Sequence, residues 1–495
     1  MSDVVGDGDD NDGIDALDVL LPLWRSVPSQ LDDGAENAKG LGATHQADDD
    51  PPVFSLVSYN VLLPNSVDGW WCYKYYSHGT PLDVTEWRHR VELLRNQIAL
   101  AGNPEVLCFQ ECSPESFDAD FAFLKEEGYD YFLHPKGRFR CATFWKRECV
   151  SLLAPPVAKD RFIVTMLRFG TKRITVINHH LQAGNAPARR LRQAAGGMAA
   201  AKKELLKLLG KTANLGDENI VVCGDFNTDR SGSDEARQGA CVDFASAVHN
   251  YLTLGTYANK ELTSKTKSHV FAPMRDVYES AGVVSPTYIC ASLVPVLGQD
   301  RPSERLMQLL ERIFDVFALS SSDGASSSWT PEMVDRWLVV INLKPGRGSE
   351  FRAASKSMIA SINAKDRERE GVAELAETLC AARASSDFPP SIVDLNARFA
   401  SLGCSPLRFT VEDFAAAYAS ELSQGKYWGV AFDLAALGEP LDSGEELFKA
   451  RFDYIYATAG MKTVAVLAAD VRDGEMLPNS RHPSDHLFVG AKFSL

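Results

Sequence analysis

Leu477-Pro478-Asn479-Ser480-Arg481-His482-Pro483-Ser484-Asp485-His486-Leu487 sets an acid and an imidazole side by side, just before an apolar run, His486 to Phe493, that reads as a strand. Two earlier stretches are built the same way. Phe109-Gln110-Glu111 closes the apolar run from Val106, and Gly224-Asp225-Phe226-Asn227 follows Ile220 to Cys223. Carboxylates, amides and imidazoles therefore collect at the ends of strand-like runs far apart in the chain. One shared pocket is expected.

Outward from these stretches, strand-like runs alternate with amphipathic helices from Val53 onward. The strands are expected at Phe54 to Ser58, Val106 to Phe109, Cys141 to Trp145, Phe162 to Phe169, Ile174 to Asn178 and Ile220 to Cys223. Helices are expected at Val84 to Ala101, Ala186 to Leu209 and Asp234 to Tyr251, where apolar residues recur at three and four. The class is mixed α/β. A chain of 495 residues with 45% hydrophobic side chains holds about two to four domains.

The net charge of −15 is concentrated at the start, where Met1 to Asp50 holds 13 acidic residues against Arg25 and Lys39. The remainder is only mildly acidic, so any basic nucleic-acid face must be local. Residues 1–52 are expected to be a disordered acidic tail, with Ala16 to Trp24 a short helix for a partner. No run is long enough to cross a bilayer, and the start lacks a basic signal region. A soluble protein of cytoplasm or nucleus is expected. The ten cysteines show no CxxC pair and are expected as buried thiols.

Between Cys290 and Glu446 helices dominate, interrupted by Ser320 to Ser328 and by Pro389-Pro390. This is expected to be an inserted helical domain. Leu306 to Phe317 with Pro331 to Ile341, and Ile392 to Leu402 with Thr410 to Leu422, resemble an EF-hand pair. Calcium is not expected, because Ala318 to Trp329 offers only Asp323 and hydroxyls, and Ser401 to Phe409 has no acid. A packing module, or a surface for an unknown protein partner, remains.

The residue types suit hydrolysis of a phosphate ester, which needs a cation, a group that orients water and donors to phosphoryl oxygens. Mg²⁺ needs only one or two carboxylates, and Glu111 is the best candidate. Asp225 and Asn227, two apart, share a face, and Gly224 lets backbones approach. Asp453 is the expected partner that orients His486, leaving Asp485 for the metal. Asn178-His179-His180-Leu181 ends another strand, and alternation lets only one of its histidines face the pocket. Asn60, ending Ser55 to Tyr59, can orient Glu111. Lys136, Arg138 and Arg140 could follow a phosphate backbone, and Trp70, Trp71, Tyr73 and Tyr75 could stack on bases.

Ser58-Tyr59-Asn60, Gln110-Glu111, Asn178-His179-His180-Leu181, Gly224-Asp225-Phe226-Asn227, Asp453-Tyr454-Ile455 and Ser484-Asp485-His486 occur in the order of the endonuclease/exonuclease/phosphatase superfamily, which this chain resembles. The resemblance implies an α/β fold, a two-sheet β-sandwich flanked by helices, carrying the inserted all-α EF-hand-like domain. It divides the chain into residues 1–52 as tail, 53–290 and 446–495 as catalytic domain, and 291–445 as insertion. It also implies Glu111 on Mg²⁺, or on Mn²⁺ in its place. Asn60 and Asp485 would support the metal, Asp225 and Asn227 would orient water and phosphate, His180 would contact phosphate, and Asp453 would support His486.

Trp87-Arg88-His89-Arg90, Gly128-Tyr129-Asp130, Pro135-Lys136-Gly137-Arg138 and Cys141 to Lys146 look most like the deadenylase and nocturnin-type branch. Phe139-Arg140 departs from it, standing where that branch often has Asp-Gly. The expected activity is that of a 3′-exoribonuclease on an RNA 3′ end. A nucleotide phosphatase, a sphingomyelinase-like lipid phosphodiesterase and a scaffold with a vestigial catalytic domain are the alternatives.

Overall fold

The computed structural model describes residues 23–27, 51–66, 76, 80–184, 186–230, 247–291, 304–319, 328–329, 337, 410–423, 434, 437, 447–468 and 471–495. Two seven-stranded sheets pack face to face. The first runs in the order β1 (Leu23–Ser26), β17 (Lys462–Ala468), β18 (Val489–Ser494), β2 (Val53–Asn60), β3 (Val106–Cys112), β5 (Arg140–Lys146), β4 (Tyr129–Leu133). The second runs β13 (Arg275–Asp276), β16 (Asp453–Ala457), β10 (Asn219–Asp225), β9 (Lys172–His180), β8 (Phe162–Phe169), β6 (Val150–Leu152), and β7 (Val157–Lys159) pairs with β8.

Both faces of each sheet are covered, so the central strands read as nearly continuous apolar runs. Phe54, Leu56, Val106 and Cys108 of the first sheet meet Ile174, Val176, Val221 and Cys223 of the second. Residues of opposite parity face outward. Val57, Leu107 and Phe109 pack on the helix Trp87–Leu100 through Leu94 and Ile98, while Ile177, Ile220 and Val222 pack on the helix Pro187–Leu209. Burying a side chain such as Leu94 contributes about 1.5–3 kcal/mol, so these helices fix the sheets from outside.

The expected helix from Val84 to Ala101 is two, Leu82–Thr85 and Trp87–Leu100, broken where Glu86 is extended. Of the expected helix from Asp234 to Tyr251 only the end lies within the described residues, as Ala247–Leu254. Leu23–Ser26 lies inside the stretch expected to be a disordered tail, yet it forms an edge strand antiparallel to β17. Its Trp24 explains this: the indole Nε1 donates to Ala101 O at 3.3 Å, and the Lys492 ammonium sits 4.4 Å from the ring centre.

Strands β14 (Tyr288–Ala291) and β15 (Leu447–Ala450) pair antiparallel, bringing together the chain on either side of the expected insertion. Two of its expected helices are described, Glu304–Leu319 and Val411–Ser423; they pack together, with Phe314 and Trp329 stacked at 4.7 Å and Trp337 donating to the Tyr418 hydroxyl at 3.2 Å. The other two EF-hand-like helices and most of both loops lie outside the described residues.

Candidate active site

Strand direction gathers the site. Strands β2 and β3 are parallel and in register, with Asn60 beside Gln110; β9 and β10 are also parallel, with His180 beside Asp225. Their C-terminal ends reach the same edge of the sandwich, and antiparallel β16 starts there with Asp453 opposite Asp225. Period-2 alternation aims Ser58 and Asn60, Asn178 and His180, and Cys223 and Asp225 between the sheets. Glu111 has the wrong parity for this and would face the outer helix. A β-bulge between Phe109 and Cys112, with Glu111 at φ +62°, turns it to the inner side. That left-handed conformation costs a non-glycine residue about 1–3 kcal/mol, and Leu62 and Asn227 beside the site adopt it too.

Gly224, at φ +130°, is required by contact as well as conformation. A Cβ there would lie 1.9 Å from the carbonyl oxygen of His179 on the parallel neighbour.

The Oδ2 atom of Asp225 is the centre of the site. Asn60 Nδ2 and Asn227 Nδ2 each donate to it at 3.0 Å, His180 Nε2 lies 3.6 Å away, and His486 Nε2 lies 3.8 Å away. The other oxygen accepts the Asn227 backbone N–H at 2.8 Å. Asn60 Nδ2 also reaches Glu111 Oε1 at 3.3 Å, and His180 Nε2 is 3.8 Å from the same oxygen.

His486 is oriented from its far side, where Nδ1 and Asp453 Oδ2 are 2.8 Å apart. Thr287 sets this pair: its hydroxyl accepts the backbone N–H groups of Phe452 and Asp453, and its carbonyl accepts Leu487 N–H at 2.7 Å. Ser484 Oγ donates to Asn60 O at 2.6 Å, tying the Asp485 loop to the end of β2. Arg90 strengthens the same tie. Fully buried, its guanidinium donates to the carbonyls of Val61, Leu62, Leu63 and Pro483.

Burial and crowding of acids govern the electrostatics. Burial, then the charge of Asp485, raises the Glu111 pKa to about 7, His486 opposing. Burial likewise raises Asp225 to about 6 against the His486 charge, and raises Asp485. For His486 burial pulls the pKa down, but Asp453, Asp225 and Asp485 together hold it well above its ordinary value. His180 is pushed well below its ordinary value by burial and then by the positive charges of Arg161 and His486.

Among the described residues, neither Glu111 nor Asp485 has a Lys or Arg within ion-pair distance. Buried, mutually repelling carboxylates without such a partner fit a divalent cation with oxygen ligands. Asp225, Asp453 and His486 also offer ligand atoms within 4.8 Å of one another. A metal held by that trio would have to break the Asp453–His486 hydrogen bond.

The structure thus brings Asn60, Glu111, His180, Asp225, Asn227, Asp453, Asp485 and His486 together. His179 points the other way, buried against Phe162 and Phe226, with burial lowering its pKa to about 3. Lys136 and Arg138 lie on the loop from β4 to β5, and Arg140 opens β5 opposite Cys112, one residue from Glu111. Trp71, like Trp70, Tyr73 and Tyr75, falls outside the described residues. Arg90 and Thr287 carry no local sequence signal of these roles, which depend on contacts with Pro483 and with Phe452, Asp453 and Leu487 far along the chain.

Several solved structures are similar to this chain. ANGEL2, described as a 2′,3′-cyclic phosphatase in complex with adenosine-2′,3′-vanadate, is 17% identical over 89% of this chain and 95% of that one, at a TM-score of 0.44. The human Nocturnin catalytic domain with bound sulfate is 14% identical over 90% and 93%, at 0.37. D. rerio TDP2 complexed with a single-strand DNA product is 12% identical over 90% and 99%, at 0.33. A family model matches over residues 57–486, a span that runs from within β2 to His486 itself. The chain belongs to the Endonuclease/Exonuclease/phosphatase family.

Proposed function

We propose that this metal-dependent phosphoester hydrolase is a Mg²⁺-dependent 3′-exoribonuclease acting on a poly(A)-like RNA end. The observation that carries the hydrolytic reading is the convergence on Asp225 Oδ2, where two amides hold a buried carboxylate and two imidazoles face it. Lys136, Arg138 and Arg140 at the same end of the first sheet support a polyanionic substrate.

Glu111 and Asp485 would hold the cation, with Asn60 fixing Glu111. Bound there, Mg²⁺, or Mn²⁺ in its place, would offset charge developing on phosphoryl oxygens and acidify a coordinated water. Asp225 Oδ2 takes the proton of the attacking water, and the two Asn227 donors keep that carboxylate in place. His486, charged and held through Nδ1 by Asp453, presents Nε2–H to the phosphoryl oxygen that gains charge. His180, kept neutral by its surroundings, contacts the same group.

Incubation of the full chain with Mg²⁺ and 5′-labelled oligo(A) should give a ladder shortening from the 3′ end. Intact oligo(A) together with phosphate release from NADPH would favour the nucleotide phosphatase, and cleavage of sphingomyelin the lipid phosphodiesterase. Absence of both Mg²⁺ binding and hydrolysis of any phosphoester would leave the scaffold.

A further inference from the structure

Resting on that reading, we propose that Arg161 is a substrate-binding residue, clamping the non-bridging oxygens of the phosphoryl group from the side of the second sheet. Its position follows from register. Phe162 pairs with His179, and the next bond outward, His180 N–H to Arg161 O at 3.0 Å, makes Arg161 the residue opposite His180. Residues opposed across an antiparallel pair project to the same face, with Cβ atoms about 4.5–5.5 Å apart. The His180 face is the inner one, because its Nε2 lies 3.6 Å from Asp225 and 3.8 Å from Glu111. Arg161 therefore flanks the reacting centre, one strand outward, and its positive charge is felt at both His180 and Cys141.

The turn before Arg161 is held in place at a conformational cost. Asp160 adopts φ +49°, and its Oδ1 accepts from Gln193 Nε2 at 3.2 Å. The other end of that amide, Gln193 Oε1, accepts the N–H of Gln182 at 3.0 Å, and Arg190 donates to the carbonyls of Gln182 and Gly184 at 3.0 and 2.6 Å. One helix, Pro187–Leu209, thus grips both the turn that carries Arg161 and the loop leaving His180.

The neighbouring arginines spend their donors within the fold: Arg90 and Arg190 on carbonyls, Arg451 on both oxygens of Asp276. Arg161, a half-buried residue, has no carboxylate within ion-pair distance among the described residues. Its planar fork suits the paired oxygens of a phosphoryl group. Lys136, on the β4–β5 loop, and Arg140, opening β5, stand on the side of the first sheet, so the phosphate enters between cations on two walls.

The test compares the full-length wild-type chain with Arg161→Gln and Arg161→Lys in Mg²⁺, measuring turnover of bis(4-nitrophenyl) phosphate and, by calorimetry, binding of inorganic phosphate. Arg161→Gln should weaken phosphate binding and raise KM about tenfold or more, with Arg161→Lys intermediate and melting temperatures unchanged. Should Arg161→Gln fail to fold, the lysine variant still decides, since loss of the fork must weaken phosphate binding severalfold. Phosphate affinity equal to wild type in the folded variants, or no binding to wild type, overturns the assignment. A wild-type chain that binds phosphate through Arg161 but hydrolyses no ester sinks the hydrolase reading alone.

Discussion

Two sets of polar side chains lie one or two residues apart on the same strands, and they are built to opposite rules. Beneath the mouth, neutral groups join the sheets: Gln110 Nε2 donates to Ser58 Oγ at 3.2 Å and to Asn178 Oδ1 at 2.8 Å, and Asn178 Nδ2 donates to the carbonyls of Phe109 and Ala142 at 3.2 and 2.9 Å. At the mouth, the acids Glu111 and Asp225 crowd together beside Asn60 and His180, and burial raises their pKa values. The neutral amide donors bind one sheet to the other. Crowded acids oppose folding and await a cation and a substrate.

The largest effect is expected where both sets depend on one backbone contact. Gly224→Ala drives a Cβ into the His179 carbonyl, which cannot yield without parting β9 from β10. Loss of cooperative unfolding is expected, a cost above about 4 kcal/mol. A wild-type melting temperature for this variant would mean that the register is wrong. Next come the mouth acids: Glu111→Gln and Asp225→Asn should each lower turnover about a thousandfold or more, with melting temperatures equal to or above wild type. A parallel loss of stability would erase the distinction between the two regions.

The layer beneath should behave in reverse. Asn178→Leu strands the carbonyls of Phe109 and Ala142 and removes one of the acceptors of the Gln110 amide, at a cost of about 2–4 kcal/mol. Turnover per folded molecule should stay within about tenfold of wild type. Because Gln110 and Asn178 share a bond, adding Gln110→Leu should cost less than its effect alone; strict additivity in chemical denaturation would show that they act separately.

Much of this contrast is legible from local pattern. Alternation in Ile174 to His180 separates Asn178 and His180 from His179, and the polar ends of four apolar runs announce a common edge. What is not legible depends on long-range register. Glu111 reaches the pocket through a bulge that reverses its parity, Arg90 connects with Pro483 across the loop, and Arg161 gains its place only from pairing with His180. Leu23–Ser26 joined a sheet because β17 offered an open edge to its Trp24, which the surrounding acidic composition concealed.

The smallest predicted effect isolates the energy stored at the mouth. In chelator, burial raises the Glu111 pKa to about 7, against about 4.3 in an unfolded chain. An acid whose folded pKa is raised favours the native state fully below the unfolded value, and that contribution is lost as pH climbs through the folded one. The folded protein must therefore ionise Glu111 at a cost that grows from pH 4 to 8. Glu111→Gln removes the titration, so the variant should gain on wild type by about 2–3 kcal/mol across that range in EDTA. Saturating Mg²⁺ should close the gap, since the cation pairs with the wild-type carboxylate and has less to hold it in the variant. A pH-independent difference between the two proteins in EDTA would show that Glu111 is not a strained acid, and the contrast between mouth and underlying layer would then rest on Asp225 and Asp485 alone.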